Sequence, residues 1–368
     1  MNDSLIFISA GDPSGDIAAG RLALALNKQI PGVTYCGLGG ERLAAVGQEQ
    51  FAKGSDLAVL GFWEVAKRFR FFQKLMSRCV AEIERRRPKV LILVDYPGFN
   101  LRLAARVKHL GIPIVYYIAP QVWAWGKKRV GDIRQLVDRL LVILPFEEKF
   151  FAEHGVPAQY VGHYLLEDID AAYQNSLPPV TRQLALLPGS RPQEIGRMIL
   201  PMFGAAKLHI EKHGGTAVIA AVRGAYDYET ACQPFRNSGI SIEYGNSREV
   251  IYSSDLAVVA SGTATLETGI IGRPMVIVYK TGEITYQIAK RVIELDKIGL
   301  VNLVLGKKVV PELIQREVSP RPIAAELGRY ETDADYSAGV CRELQRVPST
   351  LGGIGASERA ARQIVELL

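Results

Sequence analysis

Cysteine is scarce and scattered in this chain. Cys36, Cys79, Cys232 and Cys341 lie far apart, with no Cys-x-x-Cys among them. That spacing suggests neither a zinc site nor a disulfide framework, and it fits a reducing compartment. Long apolar runs are absent too, since none reaches the roughly 18 residues of a membrane-spanning helix. The first apolar run is only Leu5 to Ile8, with nothing basic before it, so no secretory leader is expected. Charge of one sign is limited: 44 Lys and Arg against 38 Asp and Glu give a net charge of +6. Such an excess suits anionic small molecules or an anionic membrane surface. It is too small to imply nucleic acid, and no nucleic-acid motif accompanies it. Short-period repeats and low-complexity tracts are also missing.

What is present is a large apolar share. Of 368 residues, 48% are hydrophobic and 22% charged, which favours two globular domains over one. Short β-branched runs recur, each followed by a turn and a helix-like stretch. Ser4–Ala10 reads as a first strand, with the turn Gly11-Asp12-Pro13-Ser14-Gly15-Asp16 behind it. This opening suits a nucleotide fold, although the turn is not Gly-x-Gly-x-x-Gly. Further strands are expected at 33–38, 89–94, 113–118, 140–144 and 159–162. After a linker at 175–181, a second series follows at 183–187, 217–222, 240–244, 256–260 and 275–279. Residues 283–347 read as mostly helical, with a helix starting at Pro311-Glu312-Leu313-Ile314-Gln315. The expected class is therefore α/β, with two Rossmann-like domains facing one cleft. They span 1–174 and 175–346, and a C-terminal helix at 347–368 either returns to the first domain or swaps to a partner.

Candidate chemistry sits where strands end. In the stretch 254–282, the strand Leu256–Ala260 breaks at Ser261-Gly262-Thr263, where Thr263 can cap a helix. Such a helix start attracts phosphate through unpaired N–H groups and a partial positive charge. Glu267, one turn in, would repel phosphate and is better suited to the hydroxyls of a ribose. Read alone, the same residues also fit a plain cap and an exposed glutamate. Gly189-Ser190-Arg191 forms a second small-residue turn whose guanidinium could neutralise a diphosphate. Asp95 ends the strand 89–94, where open α/β sheets place ligands. Gln121-Val122-Trp123-Ala124-Trp125 precedes a basic cluster and looks like a ligand-facing or a packed loop. Asp168-Ile169-Asp170 has carboxylate spacing but follows no strand, and reads as a solvated acidic segment. His163 is either a cleft residue or a hinge histidine bonded to backbone.

Residues 61–78 carry two stripes at helical spacing. Val65, Phe69, Phe72 and Met76 share one face, and Lys67, Arg70, Lys74 and Arg78 the other. A core helix and a membrane-facing one share this pattern. In the second case Phe62, Trp63, Phe69, Phe71 and Phe72 would meet acyl chains or the bilayer.

Six motifs taken together resemble the lipid-A-disaccharide synthase family. They are Ala10–Asp16, Val94–Asn100, Pro120–Trp125, Ile143-Leu144-Pro145-Phe146-Glu147, Leu187–Arg191 and Ala260–Glu267, in the family's order. The resemblance implies a metal-independent, cofactor-free inverting glycosyltransferase of the GT-B type. It implies transfer of 2,3-diacylglucosamine from UDP to the 6-hydroxyl of 2,3-diacylglucosamine 1-phosphate, with possible dimers, at the inner face of the cytoplasmic membrane. Asp95 matches the proposed general base. Gly189, Ser190, Arg191, Ser261, Gly262, Thr263, Thr265, Glu267 and Asn302 match the donor side. Asp12, Ser14, Gly15, Asn100, Gln121, Trp123 and His163 match the acceptor side. Four departures, Asp12-Pro13, Gly98, Gly126 and Tyr164, fall in the acceptor-facing half. Alternatives are a related transferase with another lipid acceptor, or a non-catalytic binder of UDP-sugar or lipid.

Overall fold

The apolar runs form parallel strands because each is short, β-branched and covered on both faces. Val90–Val94, for example, is buried at all five positions. A computed structural model of the chain describes residues 4–52, 69–123, 129–169, 173, 180–283, 286–287 and 296–368. It divides into two units, Met1–Tyr164 with Leu351–Leu368, and Leu165–Thr350.

In the first unit, β1 (Leu5–Ala10), β2 (Thr34–Leu38), β3 (Glu49–Gln50), β4 (Val90–Val94), β5 (Ile114–Tyr117), β6 (Arg139–Val142) and β7 (Ala158–Tyr160) pair in parallel. Their order is β3-β2-β1-β4-β5-β6-β7. β1 pairs with β2 on one side and β4 on the other, so the winding reverses there. Such a switch point opens a crevice at the carboxyl ends of the two central strands. The core beneath it includes Phe7, Leu91, Leu93, Leu103, Tyr116 and Phe151. Truncating one of these leucines to alanine removes about 2–5 kcal/mol.

The second unit repeats the plan. β8 (Gln183–Leu187), β9 (Thr216–Ala221), β10 (Ile240–Tyr244), β11 (Leu256–Ala260), β12 (Met275–Tyr279) and β13 (Glu312–Ile314) run in the order β10-β9-β8-β11-β12-β13. Its switch point lies between β8 and β11.

The last helix, Ala356–Val365, packs on the helix Pro13–Gln29 of the same chain. Small buried residues on both, Ala18, Ala19 and Ala23 against Ala356, Ala360 and Ala361, permit the close approach. Arg359 donates to the Val161 carbonyl at 2.7 Å, and Lys28 pairs with Glu358.

Three local readings change. Pro311–Gln315 does not start a helix; Glu312–Ile314 pairs with Ile277–Tyr279 as an edge strand. Proline's missing donor is tolerated at an edge, and the open edge of β12 outweighs local propensity. Residues 69–86 form one helix, Phe69–Arg86, that buries Leu75, Met76, Cys79 and Ile83. The expected linker at 175–181 lies mostly outside the described residues, and the chain passes from one unit to the other between Tyr164 and Leu165. Among the described residues, no helix is long and apolar enough to cross a membrane.

Candidate active site

The first unit's crevice is lined by the ends of β1 and β4. After β1, Asp12 caps the helix Pro13–Gln29, its Oδ1 accepting from Gly15 N at 2.6 Å and from Ser14 Oγ at 3.1 Å. Gly15 has no room for a side chain, since a Cβ would sit 2.8 Å from Asp12 Oδ1. A Cβ on Gly11 would collide with the Tyr96 ring at 2.2 Å. Asp12, Ser14 and Gly15 thus form one tight loop directly beside Tyr96.

Asp95 follows β4 with φ of 45°, and Tyr96 has φ of 49°. Two successive non-glycine residues in the left-handed region cost about 1–3 kcal/mol each. The surroundings hold them there. The Asp95 carbonyl accepts from Tyr116 Oη at 2.6 Å and from Asn100 Nδ2 at 2.8 Å. Asn100 is itself locked, because Ser9 Oγ donates to its Oδ1 at 2.6 Å. The side-chain carboxyl of Asp95 is held off ordinary behaviour as well. Burial pushes its pKa up to about 7, and the nearby Asp12 charge adds to the rise. A half-buried carboxylate with that pKa can take a proton near neutral pH.

Behind it lies a buried carboxylate that the sequence marked only as part of a motif. Glu147 accepts from Trp123 Nε1 at 2.9 Å, Leu144 N at 2.9 Å and Ile143 N at 3.2 Å. Burial raises its pKa to about 7 despite these donors. The Trp123 indole is buried and its N–H is committed to Glu147. Gln121, two residues earlier, is exposed.

The second unit's crevice joins the ends of β8 and β11. Gly189, with φ of 102°, would place a Cβ 3.7 Å from that of Ala260, so the two loops meet. Ser190 and Arg191 are exposed, and Arg191 touches Glu194 at 3.3 Å. The helix Pro192–His213 that follows has no side-chain cap. Thr263 is not the cap of the next helix. That helix begins at Thr263 itself, with Gly262 (φ 148°) at the N-cap and no side chain bonded to the first turn. Two helix starts without side-chain caps therefore open at one switch point, which is an anion-binding arrangement. Ser261 Oγ donates to Ile298 O and Thr265 Oγ1 to Gly262 O, both at 2.8 Å. These hydroxyls brace the loop.

Glu267 is partly buried and bonded through Oε1 to Arg248, at 3.2 Å to Nε and 3.0 Å to Nη2. Arg248 also reaches Asp168, which is therefore no solvated carboxylate. Eighty residues separate this pair, which is why the sequence hid it.

Two further candidates are buried. Asn302 is fully buried and its amide is saturated: Nδ2 donates to Val310 O and Glu312 Oε1, and Oδ1 accepts from Val309 N and Val310 N. It holds the segment before β13 rather than offering a free group. His163 is buried and stacked on Tyr164, and burial pushes its pKa down to about 3, so the imidazole stays neutral. Phe71 and Phe72 pack half-buried against the first unit's core. Arg78 is not a free cation either, since it donates to Phe51 O at 2.8 Å and lies over the Phe51 ring. Phe62 and Trp63 lie outside the described residues, as do Trp125 and Gly126, and only the backbone of Phe69 is described.

Comparison with known proteins now decides the family. Residues 6–344 match the model of the lipid-A-disaccharide synthetase family. The chain is 40% identical over 376 residues to the lipid-A-disaccharide synthase of Myxococcus xanthus, covering 100% of this chain and 98% of that one. It is 38% identical over 378 residues to that of Syntrophus aciditrophicus, covering 100% and 99%. The chain belongs to the lipid-A-disaccharide synthase family. It is accordingly a glycosyltransferase of lipid A biosynthesis.

Distant structures agree on the fold alone. A co-structure of S. aureus MnaA with UDP matches with a TM-score of 0.68 at 12% identity, covering 99% of this chain and 98% of that one. The calicheamicin glycosyltransferase CalG4 matches with 0.63 at 16% identity, covering 100% and 99%. The fold is thus the GT-B type of α/β architecture that the motifs implied.

Proposed function

We propose that the two switch points divide one reaction, transfer of an acylated glucosamine from UDP to the 6-hydroxyl of an acylated glucosamine 1-phosphate. In this reading Asp95 accepts the proton of that hydroxyl as its oxygen bonds to the donor's anomeric carbon. The bond from that carbon to the diphosphate breaks, UDP leaves, and the configuration inverts. The observation that carries this role is the clamped, left-handed Asp95 at the end of β4, whose carboxyl titrates near neutral pH. An ordinary aspartate near pKa 3.9 is a poor base.

Gly189, Ser190, Arg191, Ser261, Gly262, Thr263 and Thr265 would bind the diphosphate. Arg191 and the backbone N–H groups of two helix starts would carry the charge that develops on the leaving group. Glu267 would accept hydrogen bonds from the ribose. Asp12, Ser14, Gly15 and Gln121 would face the acceptor, and Asn100 would act by holding Asp95. His163 and Asn302 would serve as framework.

Both substrates carry acyl chains, and drawing these into water costs about 0.8 kcal/mol per methylene. Docking on the inner surface of the cytoplasmic membrane avoids that cost. The exposed Arg70 and Lys74 beside half-buried Phe71 and Phe72 support such a surface.

Mass spectrometry of products from the two acylated glucosamine substrates tests the reading. A tetra-acylated disaccharide 1-phosphate with release of UDP is expected. UDP release with a different acceptor, or no turnover, would overturn the acceptor or the activity respectively.

A further inference from the structure

Arg248 is a partly buried guanidinium of the second unit that the reaction above leaves without a task. It is the second residue of the short helix Ser247–Tyr252 that follows β10, and its side chain is 28% exposed. Its three nitrogens serve two other segments at once. Nε and Nη2 donate to Glu267 Oε1, Nη1 donates to the Asp168 carbonyl at 2.8 Å, and Nη2 also meets Asp168 Oδ2. Only a planar fork can span such a set; a lysine ammonium offers the charge without the geometry. Every bond to Glu267 falls on Oε1, and Oε2 makes none among the described residues. One oxygen is therefore anchored and the other is left to accept.

We infer that Arg248 is a positioning residue for nucleotide recognition, holding Glu267 oriented so that Oε2 meets a ribose hydroxyl. This rests on the reading of Glu267 as the ribose acceptor. The charged groups that act on Glu267 are Arg248 and Asp168, the latter from the helix Leu165–Asp168. Burial raises the pKa of Glu267, and the Asp168 charge adds to the rise, while Arg248 opposes both. Without Arg248 the two carboxylates would face each other unscreened. Glu267 would then take up a proton more readily, and a protonated carboxyl presents a donor in place of an acceptor. The loss would appear at the ribose and not at the diphosphate.

Calorimetric titration of the full chain with UDP and with 2′,3′-dideoxyuridine diphosphate separates these contributions. The wild type should prefer UDP by about tenfold or more, as a charge-assisted hydrogen bond implies. Glu267→Gln should lose that preference; if it keeps it, the ribose reading fails and this inference falls with it. If Glu267→Gln behaves as expected, Arg248→Gln should also lose most of the preference, while binding the dideoxy compound within about twofold of wild type. Its preference should recover as pH rises, because ionising Glu267 restores the acceptor, an effect that a merely structural role would not produce. An Arg248→Gln protein that keeps the wild-type preference overturns the inference and leaves the ribose reading standing. If Arg248→Gln binds neither compound, Arg248→Lys decides. It keeps the charge without the fork, so its preference should fall to an intermediate value, and an unchanged preference overturns the inference.

Discussion

The two units place their loops at the same topological point and arm them with opposite chemistry. In the first, carboxylates crowd together: Asp95 lies in the field of Asp12, with Glu147 buried behind, and burial raises the pKa of both Asp95 and Glu147 to about 7. In the second, each carboxylate leans on a guanidinium, Glu194 on Arg191 and Glu267 on Arg248. Two helix starts there lack a side-chain cap. In the proposed reaction one crevice would hold and release a proton, and the other would receive negative charge. A parallel sheet supplies the same crevice in both, and a few residues at the strand ends decide what it does.

The largest effect should come from breaking the first side of that contrast. Asp95→Asn should lower kcat by about 10²- to 10⁴-fold, the usual contribution of a general base, and leave UDP affinity unchanged. Steady-state kinetics beside UDP calorimetry would show it; a variant keeping more than about a tenth of the rate would remove Asp95 from that role. The wild-type kcat/KM should rise with pH through about 7 and then level, because the base must lose its proton. Asp12→Asn should move that limb to lower pH by removing the neighbouring charge. Stability should run the other way. Unfolded, Asp95 loses its proton near 3.8; folded, it keeps it to about 7. Between these values the folded state binds the extra proton, so this contribution is full at low pH and is lost as pH rises through 7. Asp95→Asn should therefore raise Tm at pH 8 and barely change it at pH 4.

Arg191→Ala breaks the other side. Arg191 is exposed and its ion pair with Glu194 is itself at the surface, so fold stability should hardly change. UDP affinity should fall by about 1.5–3 kcal/mol, the worth of hydrogen bonds to a charged group, and kcat should fall with it. Equal UDP binding in the two proteins would move the diphosphate away from this loop.

Tyr116→Phe sharpens the comparison, since it loosens Asp95 without touching charge. Its lost bond to the Asp95 carbonyl is worth about 1 kcal/mol of stability. We expect a roughly tenfold loss in kcat with little change in KM, since a base displaced by a fraction of an ångström transfers protons poorly. A drop in Tm with unchanged kcat would make Tyr116 a packing residue only.

Tyr116 also illustrates what a sequence hides. Within Ile114–Tyr117 it reads as one more bulky strand residue, and its hydroxyl matters only because β4 lies alongside. The strands were legible because short β-branched runs bounded by turns have few other folds. Ile240–Tyr244, Leu256–Ala260 and Met275–Tyr279 match their expected limits. Asp95 was legible because it ends such a run. The link from Arg248 to Asp168 and Glu267 was not, since no periodicity connects residues 80 and 19 positions apart. The Thr263 cap misled because the helix starts at Thr263 itself, so Gly262 takes the N-cap position and the first turn is left without a side-chain cap at the crevice.

The smallest expected effect belongs to Phe71, where the first unit's core gives way to its surface. Phe71 packs edge-on to Phe72 at 5.4 Å and is only half-buried. Its neighbours along the helix, Leu75 and Cys79, are fully inside. Truncating a buried aromatic removes about 3–5 kcal/mol; a half-buried one should lose about half of that. Phe71→Ser should therefore lower stability by about 1.5–2.5 kcal/mol and weaken binding to anionic vesicles a few-fold. Lys74→Gln on the exposed side should weaken vesicle binding with no loss of stability, because that lysine is exposed. Chemical denaturation and vesicle sedimentation on the two variants separate the cases. If Phe71→Ser loses the full stability of a core aromatic and binds vesicles as well as the wild type, the ring belongs to the core, and the helix meets no membrane at this position.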